Sequence, residues 1–522
     1  MCLYEACQCN QFLDVAVTAG AGELVVLCNV ESTKEGAMTL AALLTVFSVT
    51  LAIFSLARPV GRRSLALFVP AWRMVAAVCL SFVCIIVRDA LLSLKPPFGW
   101  RPNLIEFGLS VGAFLAPVAI ALWCWSTWNR AKLTRKNIGR LGSVLKAALR
   151  EEEFDEVERI ISKNQDRLDQ LSANAATALF NPRIVGALVG SDSLAHLELL
   201  SNTKFLTSLN NRFGAVDVVV RELLRAPVSP LRSAVVSRYG GLENLEYTDA
   251  ERTLMEKTFL NPKWYLETRA DYPLVISAIE ELNSGQLDTE YNNVGRAYET
   301  SQGTSRRSQC PVYLAAQTIV LSIEAAIEQR AQGDFYVSDL HDIFHAVQEH
   351  SKFNKETWES DLANSEFPTP FAYLLYEIAY DLRTLSCAAV QSATSKTAPH
   401  QLAPPDRIAH DLARMWSYCV WSIADSENQV SPSFRDSIIR EYLKFILELG
   451  WGPSEVYHGP EGNGVQGLEA WRDLFAEELR ERFAGDSGKR LDALQSAMQS
   501  LDQGKMYIVD GYDWLEQELS SP

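Results

Sequence analysis

The chain has 522 residues, of which 48 are basic and 64 acidic, giving a net charge of −16. This length exceeds the size at which a single hydrophobic core usually stops growing, so we expect two or more folding units. The acidic balance argues against a nucleic-acid-binding protein, because such proteins carry basic surfaces that neutralise phosphate groups.

Three hydrophobic segments predict transmembrane helices at residues 37–57, 66–94 and 104–128. The first contains no charged residue across 21 positions, which is enough helix to cross a hydrocarbon core of about 30 Å. The second has an uncharged centre of only 14 residues, but arginines near its ends can extend their side chains to the headgroups. We therefore expect a three-helix transmembrane bundle.

Basic residues are unevenly distributed between the two ends of these segments. Three follow the first segment and seven lie in residues 129–150, whereas the opposite side carries Lys34, Lys95 and Arg101. By the positive-inside rule, this distribution places the N-terminus outside and the C-terminus in the cytoplasm, in a plasma or bacterial inner membrane. The 36 residues before the first segment are acidic and do not resemble a cleaved signal peptide, so we expect that segment to be retained.

The N-terminal tail, residues 1–36, contains four of the ten cysteines. Outside the cell they can form disulfides in any of three pairings, and a metal site is the alternative. Two short strands are predicted in this tail, at VAVTAG and ELVVL. We expect a small, β-like extracytoplasmic cap.

The stretch WCWSTWNRAKLTRKNIGRLG, residues 123–142, changes abruptly from aromatic to cationic. Its three tryptophans are typical of the aromatic belt at a membrane interface, and the cations that follow mark the cytoplasmic side. We name residues 129–150 the basic collar and expect it to bind an anionic inner leaflet. The basic side chains predicted to face lipid are Arg130, Lys132, Arg135, Lys136 and Arg140.

Small residues recur along the first and third hydrophobic segments. Thr45 and Ser48 belong to a weakly polar stripe in the first, and Gly108, Gly112 and Ala116 follow one another at steps of four in the third. Such faces allow close helix packing. The packing can lie within one bundle or between subunits of a homo-oligomer, and lining a pore is a further alternative.

Two charged residues are predicted to meet near the outer membrane interface. Arg88 lies at the outer end of the second hydrophobic segment and Glu106 at the outer start of the third. We expect an ion pair between them that clamps the two helices together, with a gating or transport role as the alternative.

The remainder, residues 151–522, carries a net charge of −24. Apolar residues recur there at helical spacing, as in EEEFDEVERIISKNQDRLDQL and in a run at 192–224, which predicts a large all-α domain with helices in an irregular array. Only MYIVD, 506–510, is typical of a strand. A polar stretch, residues 283–311, suggests a division near residue 295 into a first part, 151–295, and a second part, 296–522.

Three similar stretches, FNPRI, SNTKF and LNPKW, begin at residues 180, 201 and 260. In each, an asparagine precedes a basic residue and an apolar anchor. Asparagine and proline commonly begin helices, so we interpret these stretches as helix starts rather than as a repeat.

Motifs that would indicate catalysis are weak, and the sequence predicts no cofactor. HDIFH, residues 341–345, sets His341 and His345 four apart on a helix but lacks a third ligand, so we interpret them as polar-face histidines rather than a zinc site. GNGVQG, 462–467, follows no clear strand and is more typical of a turn than of a dinucleotide site.

Two classes of function follow. The first is a non-enzymatic multipass membrane protein whose acidic cytoplasmic domain senses a partner or small ligand and controls assembly of the transmembrane bundle, as in a signalling protein or a bacterial antiviral defence effector. The alternative is a membrane-tethered, metal-dependent hydrolase that uses His341 and His345.

Overall fold

The computed structural model describes the chain with gaps, and within it two compact units are formed, Met1–Asn164 and Gln165–Pro522. The described residues are 59–69, 83, 86–87, 122–123, 126–130, 132–134, 137–164, 167, 173–190, 194–202, 205–206, 209, 212–238, 247–288, 309–331, 337–353, 369–393, 404–451, 468–486, 488–502 and 509–520. Most of them are helical and none lies in a strand, so this part of the chain is mainly α, as predicted.

In the first unit, three helices are described: α1 (Pro59–Phe68), α2 (Leu141–Glu151) and α3 (Asp155–Ser162). A short 3₁₀ turn, Ile138–Arg140, leads into α2. α1 packs against both α2 and α3. The apolar face of α2 is completely buried, because Leu141, Val144 and Leu145 recur at helical spacing.

The second unit contains sixteen described helices. They are α4 (Ala173–Leu179), α5 (Pro182–Gly190), α6 (Ala195–Ser201), α7 (Arg212–Arg225), α8 (Pro230–Arg238), α9 (Asp249–Lys257), α10 (Pro262–Thr268), α11 (Asp271–Asn283), α12 (Pro311–Glu328), α13 (Ser338–His350), α14 (Pro370–Ser392), α15 (Pro404–Ala424), α16 (Pro432–Trp451), α17 (Glu469–Phe483), α18 (Lys489–Asp502) and α19 (Val509–Ser520).

Helix starts follow local chemistry. Many of the described helices begin with proline, which has no N–H to leave unpaired in the first turn and a φ that already suits a helix. Asn261 accepts hydrogen bonds from the N–H groups of Lys263 and Trp264 at 3.1 and 3.2 Å. Asn181 and Asn202 accept similar bonds from residues two and three positions on. FNPRI and LNPKW therefore begin described helices, α5 and α10, as interpreted, whereas Asn202 of SNTKF follows the last residue of α6.

The core of the second unit forms around α12 and an aromatic cluster. α12 packs against α8, α11 and α14, and nearly all of its side chains are buried. Further along the chain, the Trp416 ring lies 4.7 Å from that of Tyr442, and the Phe445 ring lies 4.9 Å from that of Phe475. Burial of these large aromatic side chains holds α15, α16 and α17 together.

One described helix, Pro311–Glu328, is long and apolar enough to cross a membrane, and 78% of its apolar window is buried inside the structure. The bent pair α5 and α6 passes the same test only when taken together. The buried fraction of α12 is typical of a core helix. The predicted spans at 37–57, 66–94 and 104–128 lie largely outside the described residues.

Three predicted elements differ from the structure. The run at 192–224 forms two helices, α6 and α7, because Asn202 has an extended backbone and ends the first. The acidic stretch from residue 151 does not begin a helix, since Glu152 has a left-handed φ of 56° and ends α2. The predicted strand 506–510 is wrong at its end. Val509 and Asp510 are the first residues of α19, a helix whose Leu515 is buried.

The start of the second predicted span is also corrected. Residue 66 was expected to begin it, but residues 66–68 are the last turn of α1, and Val69 forms a bend. Pro70 follows directly, and the residue before a proline is disfavoured in helical conformation. Leu67, Phe68 and Val69 are buried within the first unit.

Candidate functional site

The first unit brings together three segments that are far apart in sequence: α1, the helical residues 126–130, and α3. Trp128 lies between the other two segments. Its indole Nε1 donates to Ser64 Oγ and to Glu156 Oε1, both at 3.2 Å. The Ser64 hydroxyl also donates to Glu156 Oε1. We name this cluster, together with Arg159, the junction.

Arg159 on α3 contacts both the ring and the main chain of Trp128. Its guanidinium carbon lies 4.7 Å from the centre of the Trp128 ring, and Nη1 donates to the Trp128 carbonyl oxygen at 2.6 Å. Nε donates to Glu156 Oε2 at 2.9 Å. Glu156 thus balances the charge of Arg159 while accepting from Trp128 and Ser64. Because Ser64 is fully buried, this network lies partly outside bulk water, where charge-assisted hydrogen bonds are stronger.

The main-chain carbonyl groups at the end of residues 126–130 accept hydrogen bonds from two cationic side chains, Arg159 on α3 and Lys163 just after that helix. Lys163 Nζ donates to the Asn129 carbonyl oxygen at 2.7 Å, beside the Arg159 bond to Trp128. The last carbonyls of a helix lack intrahelical partners and carry partial negative charge, so cationic side chains are favourable there. Asn164 Oδ1 also accepts from the main-chain N–H of Leu133 at 2.6 Å.

The described cations of the basic collar are exposed. Arg130, Lys132 and Arg140 are exposed to solvent, whereas Leu133 and Ile138 between them are buried. The collar therefore has an apolar side that packs into the first unit and a cationic side that is open. Arg135 and Lys136 lie outside the described residues.

Exposed apolar side chains are concentrated in the predicted spans. Nine large hydrophobic side chains are exposed in the described part of the chain, and five of them belong to residues 66–94 or 104–128. These five are Val83, Ile86, Val87, Leu122 and Trp123.

The residues predicted to pack or pair inside the membrane lie outside the described part of the chain. They are Thr45, Ser48, Gly108, Gly112, Ala116, Arg88 and Glu106. The N-terminal cysteines are also outside it. These assignments stay predictions.

His341 and His345 lie on α13 with their ring centres 6.1 Å apart. His341 Nδ1 lies 3.2 Å from Asp342 Oδ1, and His345 Nε2 lies 3.6 Å from Glu349 Oε1. In the residues that the structure describes, no group of three or more His, Cys, Asp or Glu side chains is arranged to hold a metal ion. Each histidine instead has its own carboxylate neighbour on the same helix.

Sequence reasoning singled out Trp128 but missed Ser64, Glu156 and Arg159. Only one local signal for this cluster existed: Glu156 and Arg159 are three residues apart and therefore face the same side of a helix. No known protein family, curated protein or solved structure matches this chain.

Proposed function

We propose that this chain is a multipass membrane protein in which the acidic helical region beyond residue 150 senses a partner or small ligand and controls the assembly or state of a three-helix transmembrane bundle. In this proposal the N-terminus lies outside and the C-terminus in the cytoplasm. Within this proposal the chain acts as a signalling protein or as a bacterial defence effector. The observation that carries the proposal is the contact of Arg159 with Trp128.

The junction supports the proposed topology. Ser64 follows the first predicted span and Trp128 ends the third, and the two side chains share a hydrogen bond. Their proximity supports two antiparallel spans between them, which would carry the chain across a membrane and back to the same side. The basic collar follows directly, and its exposed Arg130, Lys132 and Arg140 fit an anionic inner leaflet.

The junction also supports a route for the signal. α3 is the first helix of the acidic region, and it holds both the end of the third predicted span and the segment after the first. A displacement of α3 would therefore move the ends of two membrane helices together. Small-residue faces at Gly108, Gly112, Thr45 and Ser48 would let those helices change partners within a homo-oligomer.

The proposal is tested by the oligomeric state of the full chain in lipid nanodiscs or mild detergent, measured by native mass spectrometry. Gly112→Leu should shift the wild-type oligomer to smaller species, because a leucine prevents close approach of helix backbones. Gly139→Leu is the matched control, since a Cβ at Gly139 meets nothing within 4 Å. An oligomer unchanged by Gly112→Leu and by Gly108→Leu would contradict the proposed assembly.

A further inference from the structure

Two aspartates meet inside the second unit where α11 packs against α13. Asp271 lies in the first turn of α11 and Asp339 in the first turn of α13. Asp271 is 1% exposed, and its charge acts on Asp339 across the contact between the two helices. They come from helices separated by more than fifty positions, so only the tertiary fold brings them together.

One oxygen atom of each carboxyl group lacks a donor. Asp271 Oδ1 and Asp339 Oδ2 are buried without a hydrogen-bond partner, and so is the hydroxyl oxygen of Tyr265 on α10. Two ionised carboxylates would place acceptor against acceptor and charge against like charge. One proton on either carboxyl supplies the missing donor and removes the repulsion.

The surroundings decide which aspartate carries the proton. Arg269 Nη2 lies 3.4 Å from Asp271 Oδ2, and Arg269 and the main-chain N–H groups at the start of α11 favour the ionised form of Asp271. Asp339 has no such contact with a cation within the described residues. Burial, followed by the charges of Asp271 and Asp342, raises the pKa of Asp339 from 3.8 to about 8.

Among the described residues, the other groups that face the pair do not supply a positive charge. Tyr265 is fully buried, and burial together with the two carboxyl groups raises the pKa of its phenol well above 10, so it stays neutral. α12 contributes the neutral hydroxyl of Ser322 near the Tyr265 ring. Asp342, on α13, adds a second negative charge that strengthens proton binding. In the part of the chain that the structure describes, Arg269 is the cation that acts on the pair.

We propose that Asp339 and Asp271 share a single proton, held by Asp339, and that loss of this proton loosens the packing of α13 on α11. Deprotonation leaves two negative charges close together in a largely buried site, and the charges separate by opening the interface. This makes the α11–α13 contact a pH-sensitive element that is most stable in acid and weakens as the pH rises to about 8. The inference is independent of the membrane function proposed above.

The proton can be observed directly by infrared spectroscopy of the full chain. At neutral pH an ordinary Asp or Glu is ionised, so the carbonyl band of a protonated carboxylic acid reports the few buried ones. The wild type should show such a band that disappears as the pH rises through about 8. Asp339→Asn should remove this component, and Asp492→Asn, an exposed carboxylate on α18, should leave it unchanged. Identical bands in the wild type and Asp339→Asn would overturn the proposal.

Opening of the interface is measured by hydrogen exchange of the α11 and α13 amides, corrected for the intrinsic pH dependence. In the wild type, the protection of these amides from exchange should fall as the pH rises, by up to about tenfold per pH unit, until about pH 8. Asp339→Asn, which keeps a neutral side chain of the same shape, should flatten this dependence. A wild-type slope retained in Asp339→Asn would overturn the proposal. If Asp339→Asn fails to fold, Asp271→Asn is the second test variant. Because it removes the neighbouring negative charge, the carboxylic-acid band of Asp339 should disappear at a lower pH than in the wild type.

Discussion

Arg159 places its guanidinium carbon 4.7 Å from the centre of the Trp128 ring and donates from Nη1 to the carbonyl oxygen of the same residue at 2.6 Å. A single side chain thus fixes both the ring orientation and the main-chain end of the helical residues 126–130. Lysine could provide a charge here but not the planar fork, since the guanidinium donates in several directions within one plane.

Arg159→Gln should release the end of residues 126–130 from α3. The variant loses a cation–π contact and charge-assisted bonds to Trp128 and Glu156, and the side chain is mostly buried, so we expect a loss of about 2 kcal/mol in the local free energy of opening. Hydrogen exchange of the α3 amides measures it.

The control for Arg159→Gln is Arg150→Gln. Arg150 is exposed and, among the contacts described, pairs only with its neighbour Glu151. Exposed ion pairs contribute little to the free energy of unfolding. Arg159→Lys should recover a minor part of the loss. Equal protection of α3 in Arg159→Gln and Arg150→Gln would contradict the role given to the junction.

Val83→Asp should reduce the fraction of the protein that is integrated in membranes. Val83 is exposed and lies within the second predicted span, where an aspartate costs about 2.5–3.5 kcal/mol at the centre of a transmembrane helix. The control is Val228→Asp, an exposed valine of the second unit, which should leave integration unchanged. The measurement is the fraction retained in membranes after alkaline carbonate extraction, and similar retention of the two variants would argue against a span at this position.

The helical class and many helix starts were predictable, because both depend on residues close in sequence. Asn261 followed by Pro262 shows this: the side chain accepts from the next turn and the proline suits the first position. The predicted strand at 506–510 failed because a short apolar run has no distinctive period, and the residues that follow extend a helix through Val509.

The junction was not predictable from local pattern. Ser64 and Arg159 are 95 positions apart, and their contact depends on how α1 and α3 pack. The same holds for Asp271 and Asp339. In the sequence, each is an acidic residue in the first turn of its own helix, where the helix dipole favours a negative charge. Their pairing creates the opposite situation, in which burial and mutual repulsion favour the neutral form of one of them.

Removal of metal should leave the protein unchanged. His341 and His345 each face a carboxylate of α13, and a zinc site of ordinary stability needs three or four ligands. We expect the purified full chain to contain less than one equivalent of zinc and to keep its thermal midpoint in the presence of a chelator. His341→Ala and His345→Ala should have the same metal content as the wild type. Stoichiometric zinc that is lost in both variants would instead favour the membrane-tethered hydrolase.

We expect a buried histidine to make the second unit sensitive to acid. His196 on α6 is 1% exposed, and its Nε2 donates to the Leu179 carbonyl oxygen at 3.3 Å. Nδ1 is buried without a partner, and the ring packs edge-on against Phe180. Burial is the main cause that lowers the pKa of His196 from 6.5 to about 4, and the bond to Leu179 opposes it weakly.

His196→Gln should make the stability of the second unit less dependent on pH. Because the folded-state pKa is the lower one, the unfolded chain binds a proton that the folded chain does not, so stability falls as the pH drops from 6.5 toward 4. The loss should reach about 3 kcal/mol in the wild type. Glutamine retains a donor for Leu179 without a titratable group, and His345→Gln, at a half-exposed histidine, is the control that should keep the wild-type dependence. The measurement is hydrogen exchange of the α6 amides across this pH range, and an unchanged slope in His196→Gln would assign the acid sensitivity to another group.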